Sequence, residues 1–207
     1  MNALGKKILI TVLINLLFIA AYTFSLEAAD LNHMLKGDYK LVVTLTCVSS
    51  PNGFNENLTR IGDGKVISAH TNGIVTFDGD GNGTFDGSVL VIDPVKLNAG
   101  DAPVTPADTT GTFTYTVNTD GSYEDNKVLT VTNTGGPSQG VTRTINNILV
   151  DGQLSANGEM ILLHDSKQNI EVITLPNEST VDRICGRTGT AMKIQESKPK
   201  VVVIPLM

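Results

Sequence analysis

The chain has 207 residues, with 21 Asp and Glu against 15 Lys and Arg, and a formal charge of −6. That balance disfavours nucleic acid and anionic membrane surfaces as partners, because both are held by clustered cations. Two cysteines without CxxC spacing exclude a zinc-ribbon or thioredoxin signature.

Residues 1–29 read as a secretory signal peptide. Lys6 and Lys7 precede an apolar run from Ile8 to about Tyr22, and a smaller, more polar exit ends in SLEAAD. Cleavage is expected between Ser25 and Ala29. The alternative is a retained anchor helix, against which Asn15 interrupts the run. No Cys lies near the exit to carry a lipid. Export places the protein in a secreted or periplasmic setting. Removing Lys6, Lys7 and Glu27 leaves a mature net charge of −7. The remaining ~180 residues suffice for one domain, expected over 30–194, with a tail over 195–207.

A short helix is expected around Leu31–Leu35. From Asp38 to Cys47 the residues alternate, with Tyr39, Leu41, Val43, Leu45 and Cys47 on one face and Lys40, Thr44 and Thr46 on the other. A period of two marks a half-buried strand. Further strands are expected at Val66–Asp78, Gly83–Asp93, Gly111–Thr119, Tyr123–Thr132, Val141–Val150, Glu159–His164, Ile170–Leu175 and Arg183–Ile194. That gives eight or nine, depending on whether Val66–Asp78 bends at Gly73. In Gly111–Thr119, Phe113, Tyr115 and Val117 share one face.

Turn signals separate these runs: FDGDGNG at 77–83, NTDGS at 118–122, TGGPSQG at 134–140 and SANG at 155–158. Asp-Gly and Asn-Gly pairs supply the positive φ of tight hairpins, so neighbours in sequence should pair antiparallel. Two longer connections, Val48–Gly64 and Pro94–Thr110, read as loops. The fold class is therefore all-β, a single antiparallel up-and-down barrel of about eight strands. Cys47 and Cys185, near opposite ends of an exported chain, are expected to form a disulfide that would suit barrel closure, the alternative being two buried thiols.

A Gly-x-aromatic start (Gly37, Asp38, Tyr39), a long first loop, hairpin-linked strands and Arg183 and Arg187 on the last strand resemble the calycin plan of the lipocalins. GIVTFDGDGNGTF and GTFTYTVNTDGSYE are similar to phrases of bacterial secreted barrels related to allene oxide cyclase. The resemblance spans roughly Gly37 to Ile194. The chain has no Trp, so in that plan the Trp–Arg packing at the closed end falls to Tyr39 with Arg183 or Arg187.

Asp78, Asp80 and Asn82 reproduce the first half of a calcium loop, but Val89 stands where its bidentate Glu would be, and the same residues also read as a Gly-rich turn. His33, His70 and His164 lack metal-ligand spacing, and no nucleophile elbow, phosphate loop or dinucleotide fingerprint occurs. Adjacent Glu124 and Asp125 should point to opposite faces of a strand. Arg183, Cys185 and Arg187 share a face, so an inward Cys185 would carry both arginines inward unless a bulge at Gly186 or Gly189 intervenes. No cofactor is implied.

Three function classes follow. The barrel binds a small apolar or acidic amphipathic ligand through Leu41, Val43, Phe113, Tyr115 and Val117, with Arg183 or Arg187 on the acidic group. Alternatively its core is filled and its role is structural or protein-binding, or it is an isomerase or cyclase using the same pocket.

Overall fold

The computed structural model describes residues 30–98 and 103–195. The expected signal peptide, and the expected tail apart from Gln195, lie outside the described residues. A 3-10 turn at Asn32–Met34 opens the described chain. It is followed by β1 (Lys36–Ser50), β2 (Lys65–Asp78), β3 (Asn82–Ile92), a short helix α1 (Pro94–Asn98), β4 (Val104–Val117), β5 (Ser122–Asn133), β6 (Thr142–Leu154), β7 (Met160–His164), β8 (Glu171–Thr174) and β9 (Thr180–Lys193).

Every pairing is antiparallel, and β1 pairs with β9, so the sheet closes on itself. The β7 and β8 strands occupy one place in the wall. β7 lies between Asp151–Leu154 of β6 and Thr188–Met192 of β9, and β8 lies further along the same two strands. Nine strands thus build an eight-place barrel. Six residues, 165–170, bulge out between the two halves of the split place. A bulge on β6 accompanies them, where Asn147 has φ 60° and its Nδ2 donates to Ile170 O at 2.7 Å. Asn169 Nδ2 returns a bond to Asn147 O.

The strand alternation is realised in β1, where Tyr39, Leu41, Val43 and Cys47 are buried and Lys40, Val42 and Thr44 face out. β2 runs unbroken through Gly73, which faces Gly87 of β3. A Cβ at Gly73 would fall 2.6 Å from Phe85 Cε2, so the Phe85 ring fills the space that both glycines leave. β4 begins seven residues earlier than expected and absorbs the last seven residues of the anticipated Pro94–Thr110 loop. Its early inward positions are Ala107 and Thr109, too small or polar to register as an apolar face.

The outer wall carries mostly hydroxyl, amide and charged groups, including Thr112, Thr114 and Thr116 of β4 and Glu124 and Asn126 of β5. A barrel that crosses a bilayer would present an apolar band there instead. Among the described residues no helix is long and apolar enough to span a membrane.

Candidate functional site

One end of the barrel is solid. Phe77 stands at the centre of an aromatic cluster, edge-on to Tyr39, Phe113, Tyr115 and Tyr123 with centroid separations of 5.0–6.3 Å. Edge-to-face geometry sets positive ring edges against negative faces and adds about 0.5–1.5 kcal/mol per pair beyond burial. Two of the three phenols are tied to backbone. The Tyr39 hydroxyl donates to Gly158 O at 2.6 Å, and that of Tyr115 donates to Leu35 O at 3.0 Å. Asn32 Oδ1 accepts from Val117 N at 2.7 Å, which seals the 3-10 turn over the opening. Burial pushes the Tyr39 phenol up to about 12, with the neighbouring Tyr115 and Glu159 adding to the shift.

The other half of the barrel is hollow. A cavity of about 370 Å³ lies toward the end from which loops 51–64, 134–141 and 175–179 emerge. Its two sides differ. The wall from β1 to β3 is mostly aliphatic, with Leu41, Val43, Leu45, Ile67, Ala69 and Val89, and its one cation, Lys65, is half exposed and paired with Asp93 at 2.8 Å. The wall from β5 to β9 adds Lys127, Arg143, Arg183 and Arg187 among apolar residues.

Those cations are held by a ladder of buried carboxylates. Glu171, 0% exposed, takes Arg183 Nε on Oε2 at 2.7 Å and Arg187 on Oε1. Asp165 takes Arg187 Nη1 at 3.1 Å. Asp125 pairs with Lys127, and its Oδ2 also accepts the Tyr123 hydroxyl at 2.5 Å. Burial raises the Asp165 carboxyl above its ordinary range despite the pull of Arg187. Burial also lowers the Lys127 ammonium and the Arg183 guanidinium, against opposing contributions from Asp125 and Glu171.

Arg143 differs from the rest. It lines the cavity half-buried, yet none of the ion pairs among the described residues includes it. Burial, and then the charge of Arg183, pull its guanidinium below the ordinary value. The ionic wall therefore carries four cations against three carboxylates.

The expected site residues divide between the two halves. Leu41 and Val43 line the cavity, whereas Phe113, Tyr115 and Val117 are buried at the solid end, away from it. Arg183 and Arg187 do face inward, because β9 keeps unbroken register with β1 past Gly186 and Gly189. Neither packs on Tyr39. In the antiparallel register Arg183 stands opposite Ser49 and Arg187 opposite Leu45, well up the barrel, and Lys193 Nζ lies 5.8 Å from the Tyr39 ring centroid instead.

Cys47 and Cys185 are register partners bonded as a disulfide, with Cα atoms 4.0 Å apart. Sγ of Cys185 lies 3.8 Å from Glu171 Oε2, at the foot of the ionic wall. At the 78–82 turn, Asp78 Oδ1 accepts Asp80 N at 2.7 Å and Asn82 N at 2.9 Å, and Oδ2 accepts Asn82 Nδ2 at 2.9 Å. Those bonds hold the Asp78 carboxyl below its ordinary range, chiefly through the Asn82 amide, and occupy both oxygens in the turn.

Sequence reading missed Lys127, Arg143, Glu171 and Asp165. Tyr123, Asp125 and Lys127 do alternate onto one face in YEDNKVL, which is a readable signal for an internal ion pair. The chain matches no protein-family model and no curated protein.

Proposed function

We propose that this barrel binds one small amphipathic anion, its apolar body in the hollow half and its acidic group at Arg143 beside Arg183. The observation that carries the reading is a largely apolar cavity with one arginine in its wall that no carboxylate among the described residues neutralises. A half-buried cation without a partner is costly, and an anion arriving with an apolar tail offsets that cost while filling the space. At about 30 Å³ per water, 370 Å³ corresponds to about a dozen non-hydrogen atoms, which suits a medium-chain carboxylate better than a long-chain one. Arg183 and Arg187 serve as the frame that aims Arg143, since their own charges are met by Glu171 and Asp165. The disulfide supports an oxidising compartment outside the cytoplasm as the place of work. The architecture fits the calycin manner of carrying ligands inside a barrel.

Calorimetric titration with decanoate and with decanol tests the reading. Decanoate should bind more tightly, and Arg143→Met should weaken it by roughly 10- to 100-fold, the worth of a charge-assisted hydrogen bond, while leaving decanol nearly unchanged. Equal weakening of both, or no binding of either, would refute it.

A further inference from the structure

Lys127 has no role in that anion site. Its side chain is only 11% exposed, its Nζ lies 5.0 Å from the Phe113 ring centroid, and it lines the cavity at the border with the solid end. The carboxylate it touches, Asp125, is wholly buried. Asp125 Oδ2 holds both Lys127 and the Tyr123 hydroxyl, whereas Oδ1 is buried with no hydrogen-bond partner among the described residues. An ammonium among aliphatic and aromatic groups loses hydration, and a proton moved from it to the carboxylate leaves two neutral groups in their place. A lysine amine freed of its proton in an apolar pocket is the nucleophile of Schiff-base chemistry.

We propose that Lys127 condenses with the carbonyl of an apolar aldehyde or ketone that enters the cavity, with Asp125 as the proton carrier. Asp125 takes a proton from the ammonium, and Nζ attacks the carbonyl carbon, forming a C–N bond as the π pair moves to oxygen. A proton passes from nitrogen to that oxygen, giving the neutral carbinolamine. Asp125 returns its proton to the hydroxyl, which leaves as water while the nitrogen lone pair closes the C=N bond. The product is an iminium paired with the Asp125 carboxylate, so net charge is unchanged and no oxidant or reductant is consumed. Oδ2, which touches Nζ, takes the proton, and Tyr123 fixes that oxygen beside the amine. The inference is independent of the anion site, because a neutral carbonyl compound needs no arginine.

The test is incubation of the intact protein with octanal and cyanoborohydride, followed by peptide mapping. Modification of Lys127 should outpace that of exposed Lys167, 61% exposed in its pair with Glu124, by at least ~10-fold. Lys127→Arg keeps the charge beside Asp125 and should fold, yet lose the fast modification. An unmodified Lys127 in protein whose surface lysines are modified would overturn the proposal, as would an equally fast first modification in the Lys127→Arg protein.

Discussion

Glu171→Gln removes one charge from the centre of the ionic wall without changing its volume. Glu171 alone meets Arg183, whereas Arg187 keeps Asp165 at 3.1 Å. The substitution therefore strands one buried guanidinium rather than two. Removing one partner of a buried pair costs about 3–5 kcal/mol, and Gln still accepts a hydrogen bond, so about 3 kcal/mol is expected. For a barrel of this size each kcal/mol moves the melting temperature by roughly 2–4 °C, giving a drop of roughly 6–12 °C by circular dichroism. The same change leaves Arg143 and Arg183 both without a carboxylate, so the variant should bind decanoate roughly tenfold more tightly than the parent. Decanoate at a hundred times its Kd should then restore about 2.7 kcal/mol. A variant that melts within about 2 °C of the parent would refute the view that Glu171 holds this wall together.

The disulfide closes a separation of 138 residues, for which the chain-entropy estimate is roughly 5 kcal/mol. The Cys47→Ala, Cys185→Ala double variant should lose on the order of 3–5 kcal/mol in urea titrations, and a loss under 1 kcal/mol would show that strand pairing alone secures the seam. Gly73→Ala drives a methyl into Phe85 and the Asp86 carbonyl and should cost about 1–3 kcal/mol, whereas an unchanged midpoint would mean the ring can move aside. Alkaline stability should fall from pH 10 through about 12. Tyr39 keeps its proton to about 12 when folded but ionises near 10.0 when unfolded, so its contribution is full below 10.0 and lost as pH rises through the folded value. Tyr39→Phe should flatten that fall, measured as unfolding midpoint against pH, and an unaltered slope would remove Tyr39 from the cause.

The strands that could be read from the sequence were those whose inward residues are large. Tyr39, Leu41, Val43, Phe113, Tyr115 and Val117 announce their faces, while Ala107 and Thr109 do not. Parity with Cys185 offered an inward turn of Arg183 and Arg187 but left it open to a bulge at Gly186 or Gly189, and the unbroken register of β9 with β1 turns both inward. Their carboxylates were hidden because Asp165 and Glu171 sit at the two ends of the 165–170 loop, where no apolar alternation marks a face, although the odd-numbered residues Ile161, Leu163, Glu171 and Ile173 turn inward on both sides of it. Arg143 was hidden by the bulge at Asn147. Counting back by twos from buried Val150 and Ile148 would turn Thr144 inward, but the extra residue shifts the faces so that Ile145 and Arg143 line the cavity. Parity is a local signal, and each insertion resets it.

Because β1 rises from the solid end and β9 returns to it, Tyr39 and Lys193 are register partners there, with Ile194 N bonded to Asp38 O at 2.9 Å. The first and last strands of the barrel therefore both end opposite the mouth of the cavity. Immobilised through either end on a sensor surface, the barrel should turn its opening toward the solution, and ligand exchange should be as fast as it is for the free protein.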